Sequence, residues 1–305
     1  MRRYKSAKGE KAFKVVNYLF LALLSFVTVY PFWFIIQASV TDPVFKMSLL
    51  WPREFFYHNY WLVVTHEGLG RAYLVTVLRV LTAVPLMLVV TGSAAFALTR
   101  QELMGRKLII TYYFITMFVS GGLIPFYMLL KTVGLLDTFW VFVFPTVFSV
   151  WTMIVMKTSF QGLPEGLVEA GLIDGASYGR IFARIILPLS LPMMTTLGLF
   201  NAVWHWNDWF VGSFYIKSPK LRPLQTYLRF AILVVSNIAH SLGSDAYRYP
   251  ERFTDDPRII LELLKLTSES MKLAYVVLTT VPIIIVYPFV QRYFIKGVLI
   301  GSIKE

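Results

Sequence analysis

The chain has 305 residues, of which 57% are hydrophobic and 15% are charged, and its formal net charge is +12 at pH 7. This apolar fraction exceeds what a soluble core of the same length requires, so the composition predicts a membrane protein. The sequence contains no cysteine, which excludes a disulfide framework and a thiolate metal site, and the position of the Lys and Arg residues explains the net charge without nucleic-acid binding.

Six apolar stretches, each near the ~20 residues that a bilayer core requires, predict six transmembrane helices and therefore an all-α, polytopic fold class. In chain order the predicted spans are residues 15–37, 73–98, 108–130, 138–156, 189–213 and 273–293. Pro31, Pro85, Pro125, Pro145 and Pro282 lie in or near these spans, and membrane helices tolerate proline where neighbouring groups satisfy the freed carbonyls. The predicted transmembrane domain covers residues 15–293, with tails at 1–14 and 294–305.

The charges before the first span predict its orientation. Residues 1–14 carry six basic residues and one acidic residue, Glu10, so we expect the amino terminus to lie in the cytoplasm. The apolar run is too long for a signal peptide and lacks a small-residue cleavage site, so we expect a retained helix. An even number of spans places the carboxyl terminus in the cytoplasm as well, together with the connections 100–107 and 158–188. The connections 38–70, 131–137 and 214–272 then face outward.

The connection 158–188 is longer than a link between two spans needs to be. Pro164 fits the first turn of a short helix, with Glu165 beside the positive helix end. The Asp174-Gly175 pair then predicts a turn. A second helix follows, because four apolar residues recur at helical spacing and give it one apolar face. These are Ile181, Phe182, Ile185 and Ile186.

The same connection resembles a known motif. Glu169-Ala170-Gly171 is followed after three residues by Gly175, and this order is similar to the EAA loop of ATP-binding-cassette importer permeases, with Gly171 in place of the second alanine. The resemblance implies that Glu169 makes an ionic contact to an ATPase, that Gly175 forms the turn, and that Ala170 and Gly171 allow close approach. The ATPase-coupling residues that it implies are Glu169, Ala170, Gly171, Asp174, Gly175, Ile185, Leu187 and Pro188. The other interpretation is an amphipathic helix pair on the membrane surface.

Further segments extend the resemblance over nearly the whole chain. Residues 120–140 and 287–305 are similar to carbohydrate-importer permeases of the maltose-permease-like, MetI-like type, in a subgroup associated with uronate-rich oligosaccharides and alginate. This implies a MetI-like fold in the bacterial inner membrane, a second homologous permease, an ATPase dimer and an extracytoplasmic substrate-binding protein. No GxxxxGK[ST] loop occurs, so we expect ATP and Mg to be bound by the partner ATPase and no cofactor by this chain. Residues 240–258 are interpreted as a variable insertion in the outward connection.

Three polar residues of the fifth span, Asn201, His205 and Asp208, are spaced four and three apart, which predicts one helix face. Polar groups in a span usually face a cavity or the bundle interior, and the neighbouring Trp204 offers an aromatic face for a sugar ring. We therefore expect this face to border a saccharide path. The same spacing is also expected if His205 and Asp208 satisfy each other or a neighbouring helix, with the tryptophans in an interfacial belt.

Arg79 lies about two turns inside the second span, where an unpaired charge is costly. It is a further candidate for the substrate path, facing an anionic saccharide. Two other roles fit the sequence equally: pairing with an acidic residue of the partner permease, and snorkelling to the lipid headgroups.

Two other protein classes fit the sequence less well. The first class is a membrane enzyme, but the sequence shows no catalytic motif. The four histidines are not at metal-ligand spacing, and no GxSxG elbow occurs. A secondary transporter driven by an ion gradient would be expected to show internal repeats or paired broken helices. The EAA loop argues against both.

Overall fold

The computed structural model describes residues 8–41, 51, 55, 57–65, 68–248, 269–285 and 288. In these ranges the chain is mostly helical, and the β-type pairing among them is an isolated bridge between Thr41 and Phe55. The predicted all-α fold class is confirmed. The chain divides into two compact units, drawn from residues 1–66 with 231–279 and from residues 67–230 with 280–305.

The first unit is built on a long apolar helix. This helix, α1 (Lys8–Ser39), has 32 residues and corresponds to the first predicted span. The hydroxyl of Ser25 donates to the carbonyl of Leu21, one turn earlier, so the polar group is satisfied inside an apolar helix. A short helix, α2 (His58–Thr65), contacts the end of α1, where the hydroxyl oxygens of Tyr60 and Ser39 lie 2.6 Å apart.

The second unit is organised around α3 (Leu69–Ala97), a 29-residue helix that corresponds to the second predicted span. It packs against α6 (Val150–Gln161) and α10 (Leu191–Asn207). One buried apolar cluster surrounds the carboxyl end of α3 and a second surrounds its amino-terminal half. The first contains Phe96, Met153, Met156, Phe160, Ile181 and Phe182, and the second contains Val75, Ala83, Val141, Phe142, Leu130 and Tyr215.

The third predicted span is two helices and not one. The first, α4 (Arg106–Phe118), and the second, α5 (Leu123–Thr132), are bent by 117° relative to each other. Gly122 lies at the bend with a φ of 81°, a left-handed value that favours glycine. The structure therefore corrects the prediction of a continuous helix over residues 108–130.

The fourth and fifth predicted spans are also bent. Helical turns over Phe139–Thr146 precede α6 at an angle of 47°, and the segment Tyr178–Leu189 leads into α10 at 83°. By length and composition, the described residues contain two helices that can cross a membrane, or up to five spans if each bent pair is counted as one. The sixth predicted span begins within a helix over residues 269–285, and its remainder lies outside the described residues apart from residue 288.

Two further helices follow α10. The first, α11 (Phe210–Tyr215), completes the fifth span, and the second, α12 (Leu224–Arg248), occupies the beginning of the connection 214–272. The predicted insertion at 240–258 thus starts inside α12, and its part from residue 249 onward lies outside the described residues, as does the tail 294–305.

Candidate coupling loop and buried polar cluster

The loop between the fourth and fifth spans closes its first helix with a left-handed turn. This helix, α7 (Gly166–Ile173), is followed by Gly175, whose φ of 74° suits glycine. The amide of Gly175 donates to the carbonyl of Leu172 at 3.0 Å, and the amide of Ala176 donates to that of Gly171 at 2.9 Å. These two bonds form a Schellman arrangement, which satisfies the last helix carbonyls. The turn therefore forms where the Asp-Gly pair predicts it.

The second helix of the loop packs on the first through Gly171. It begins as α8 (Tyr178–Ile181) and continues through a π-helical turn (Phe182–Ile186) into α9 (Leu187–Leu189). A Cβ added to Gly171 would lie 3.0 Å from Ile181 Cγ1 and 3.2 Å from Ile181 Cδ1. The alanine of the motif would fit here only if the buried Ile181 moved, so the glycine is matched to its neighbour.

Aromatic rings connect the loop to the transmembrane helices. Phe182 is buried, and its ring stacks on Phe96 of α3 at 5.5 Å and meets Phe160 of α6 edge-on at 6.4 Å. Val168 of α7 is buried in the same cluster. Because packed interiors transmit displacement and have few voids, a movement of the loop is passed to α3 and α6.

The tip of the loop exposes apolar side chains. Ile173 is 85% exposed, and Leu172 and Tyr178 are exposed as well. Glu169 and Ala170 are also exposed, and Glu169 has no ion-pair partner in the part of the chain that the structure describes. Exposed apolar residues rimmed by polar ones are typical of a surface that binds another protein.

The other predicted coupling residues differ in their exposure. Asp174 ends α7 and is exposed, Pro188 is exposed, and Ile185 and Leu187 are half-buried. The sequence patterns do not indicate the exposed residues Leu172, Ile173 and Tyr178. Leu172 and Ile173 are an apolar pair directly before an Asp-Gly turn, and this local pattern is the same whether the pair is buried or contacts a partner.

A second group of predicted residues meets between α3 and the end of α10. Arg79 is 0% exposed, and its Nε donates to His205 Nδ1 at 2.9 Å, while its Nη2 lies 2.5 Å from Asp208 Oδ2. His205 is also 0% exposed. Arg79 therefore pairs within its own chain. It neither snorkels to the headgroups nor requires an acidic residue of a partner permease.

Aromatic rings cover the guanidinium of Arg79. Its Cζ lies 4.7 Å from the centre of the Phe142 ring and 5.9 Å from that of Trp204. Arginine suits such a site, because its planar cation stacks on rings while its N–H groups bond to acceptors in the plane. The buried charge is thus paired at its edge and shielded on its faces.

Asp208 ends α10 and begins α11. Its backbone has a φ of −73° and a ψ of 111°, which are not helical values. Its Oδ1 accepts hydrogen bonds from the amides of Phe210 at 2.9 Å and Val211 at 3.3 Å. These amides belong to the first turn of α11 and have no carbonyl partner within that helix. One carboxylate oxygen therefore caps α11 while the other pairs with Arg79.

The structure corrects the prediction of one polar face on the fifth span. Asn201 and His205 lie on α10, but Asp208 lies beyond its end, so the three residues do not form one continuous helical face. Among the described residues, Asn201 Oδ1 and His205 Nε2 are buried without a hydrogen-bond partner, and Trp204 is 49% exposed. The interpretation that His205 and Asp208 are satisfied by a neighbouring helix agrees with this geometry.

The chain is similar to known proteins along nearly its whole length. The family described as "Binding-protein-dependent transport system inner membrane component" matches residues 1–300. The polygalacturonan/rhamnogalacturonan transport system permease protein YtcP of Bacillus subtilis (strain 168) is 31% identical over 297 residues, which cover 96% of this chain and 99% of the relative. Protein LplC of the same organism is 33% identical over 304 residues, covering 98% and 97%. A crystal structure of a bacterial ABC transporter that imports the acidic polysaccharide alginate contains a chain with the same fold, with a TM-score of 0.80 at 24% identity, covering 96% of this chain and 100% of that one.

Proposed function

Because the chain belongs to the family of binding-protein-dependent transport system inner membrane components, we propose that it is the permease subunit of an ATP-driven importer that carries oligosaccharides or polysaccharides into the cytoplasm. The observation that carries the proposal is the coupling loop, which combines a packed base with an exposed apolar tip. The relative YtcP, which is named for saccharide transport, is similar along nearly the whole chain and supports the same substrate class.

We expect three kinds of partner for this subunit. An ATPase dimer binds ATP and Mg, and an extracytoplasmic binding protein delivers the saccharide. A second homologous permease completes the path. The large apolar residues of α1 are exposed in the isolated chain. They require lipid or a second permease to cover them, which supports the proposal of a neighbouring subunit in the membrane.

Coupling then proceeds through rigid contacts. When the ATPase closes on the tip around Ile173, the loop moves as one body, because α7 and α8 are locked together at Gly171. Phe182 passes the displacement to α3 and α6, and α9 passes it to α10. Packed helices shift as units, which suits alternating access between an outward and an inward state.

The polar cluster has a different part in this mechanism. Arg79, His205 and Asp208 hold the break between α10 and α11 and are too buried to meet a saccharide in this conformation. Trp204 and the partly buried Asn201 lie next to them and are the better candidates for the path. Movement of α10 relative to α3 would expose the cluster to the path.

The test of coupling is Glu169→Ala in the assembled transporter. This change removes an exposed carboxylate and leaves the fold intact, so we expect uptake of saccharide to fall several-fold while the protein still inserts in the membrane. Glu102→Ala is the matched control, since Glu102 is an exposed carboxylate of the connection 100–107. Equal uptake by the Glu169 variant, the control and the parent would remove the coupling role.

The proposed orientation places the chain in the cytoplasmic membrane with both termini inside. Single cysteines report it cleanly, because the parent chain has none. Met104 is 93% exposed in the connection 100–107, and Lys131 is exposed at the end of α5. An impermeant thiol reagent is expected to label Lys131→Cys in sealed cells and Met104→Cys only after the membrane is opened. The reverse labelling pattern would show that the chain has the opposite orientation in the membrane.

A further inference from the structure

The segment that follows the α10–α11 break is basic. Residues 209–230 contain Lys217, Lys220, Arg222 and Arg229 and no acidic residue. The nearby carboxylate of Asp137 is already engaged, because its Oδ1 accepts the amides of Lys217 at 2.9 Å and Ser218 at 2.8 Å. In the proposed orientation this segment faces outward, where cations are not needed to fix topology.

Arg229 is stacked on an exposed aromatic ring. Its Cζ lies 4.1 Å from the centre of the Trp209 ring, and both residues are exposed. Within the described ranges no carboxylate pairs with Arg229. Stacking uses the face of the guanidinium and leaves the N–H groups at its edge available, and these match a carboxylate in bidentate geometry.

A second arginine lies against the same helix, α12. Arg222 Cζ is 4.1 Å from the centre of the Phe230 ring, and its Nε is buried without a hydrogen-bond partner among the described residues. Phe230 directly follows Arg229 in the chain. Two guanidinium groups, each laid on a ring, therefore flank the first two turns of α12.

This surface is held in place before any ligand arrives. Thr226 Oγ1 donates to the carbonyl of Trp209 at 3.0 Å, and the amide of Leu224 donates to Thr76 Oγ1 of α3 at 2.8 Å. Gly212 of α11 lies so close to Pro223 and to Thr226 that a side chain there would collide with them. A preformed site loses less conformational freedom when it binds.

We propose that Arg222 and Arg229, with the ring of Trp209, bind the carboxylates and sugar rings of an acidic saccharide at the outward end of the fifth span. This inference rests on the proposed function, since it assumes a saccharide importer in the stated orientation. A uronic acid unit offers an apolar ring face and a planar carboxylate, which complement the exposed part of the Trp209 ring and the N–H edge of the guanidinium stacked on it. The relative YtcP is named for polygalacturonan, a polymer of such units.

The position of the site connects binding to transport. Trp209 directly follows Asp208, which caps α11 and pairs with Arg79. A saccharide held on Trp209 therefore contacts the residue next to the break in the fifth span.

Direct binding tests the site. The complete transporter is placed in nanodiscs of zwitterionic phosphatidylcholine, and a fluorescent oligogalacturonate is titrated without the binding protein. Arg229→Gln should weaken binding about ten-fold, the loss of one charge-assisted contact. Lys131→Gln is the matched control, because it removes an exposed cation of α5 from the same predicted side of the membrane and should bind as the parent does. The methyl-esterified oligosaccharide should bind weakly to every variant.

Several results would overturn the proposal. Equal weakening by Arg229→Gln and Lys131→Gln would show non-specific attraction, and equal affinity for the acid and its methyl ester would exclude carboxylate recognition. Loss of binding when anionic phosphatidylglycerol is added would assign the surface to lipid headgroups. Arg229→Lys keeps the charge but loses the planar guanidinium, so it should bind more tightly than Arg229→Gln and less tightly than the parent, and parental affinity in Arg229→Gln would reject the site.

The outcome separates this site from the proposed function. Lys131→Gln should keep the ATP hydrolysis and the uptake of the parent complex, because it changes neither the coupling loop nor the proposed site. If the site fails while Glu169→Ala still reduces uptake, the permease function stands and the acidic-saccharide site does not.

Discussion

The coupling loop and the polar cluster distribute charged and apolar side chains in opposite ways. The loop exposes Ile173 and Leu172, whereas the cluster buries Arg79 and His205 completely. Each arrangement is costly in isolation, because exposed apolar surface is unfavourable in water and buried charge is unfavourable in the core. The cluster satisfies its charges with residues of the same chain, while the loop leaves its apolar tip uncovered. The difference supports a stabilising role for the cluster and the proposal that the loop binds a partner.

The largest expected effect is the loss of the charge in the cluster. Arg79→Gln leaves the carboxylate of Asp208 buried without its cation, so we expect the free energy of unfolding to fall by about 3–5 kcal/mol. Unfolding of the purified protein in denaturant measures it. The double variant Arg79→Gln with Asp208→Asn should cost less than the sum of the single changes, because no charge is then left unpaired. A loss below about 1 kcal/mol for Arg79→Gln would show that the pair is exposed to solvent.

A smaller effect is expected at the turn of the loop. Gly175→Leu forces an L side chain into the left-handed region, which costs about 1–2 kcal/mol and displaces the tip. Gly70→Leu is the matched control, because Gly70 lies in α3, outside the loop, with open space around its Cα. Thermal unfolding and the ratio of uptake to ATP hydrolysis should change only in the Gly175 variant. If both variants behave alike, the turn is not what positions the tip.

Local patterns in the sequence predicted much of the loop. The Asp-Gly turn, the small residue at Gly171 and the apolar face with Ile181 and Phe182 depend on neighbours within about a dozen residues, which periodicity and turn chemistry capture. The exposed tip was missed, because an apolar residue beside a turn has the same composition whether it is buried or awaits a partner.

The polar cluster was only partly predictable, for a physical reason. The spacing of His205 and Asp208 predicted that these two residues of the cluster lie close together. Arg79 is 126 residues from His205 in the chain, and no local pattern indicates such a contact. The break at Asp208 was also missed. Its cause is a carboxylate that caps the next helix, and spacing rules assume that the helix continues.

Glycine and proline residues in the sequence indicate the bend in the third span, but hydropathy does not take them into account. Gly121 and Gly122 precede Pro125 in the middle of an apolar stretch, and glycine there adopts a left-handed φ. Hydropathy counts the apolar residues on both sides as one span, so two helices at 117° were predicted as one.

The most direct measurement compares Ile173→Asp with Met104→Asp in the reconstituted transporter. Both side chains are largely exposed, at 85% and 93%, and both lie in connections predicted to face the cytoplasm, so neither change should destabilise the fold. The interpretation of the loop tip as the ATPase contact predicts that Ile173→Asp weakens the affinity for the purified ATPase at least ten-fold, about 1.4 kcal/mol, and abolishes most uptake, while Met104→Asp changes neither. Parental affinity and uptake in the Ile173 variant would contradict it.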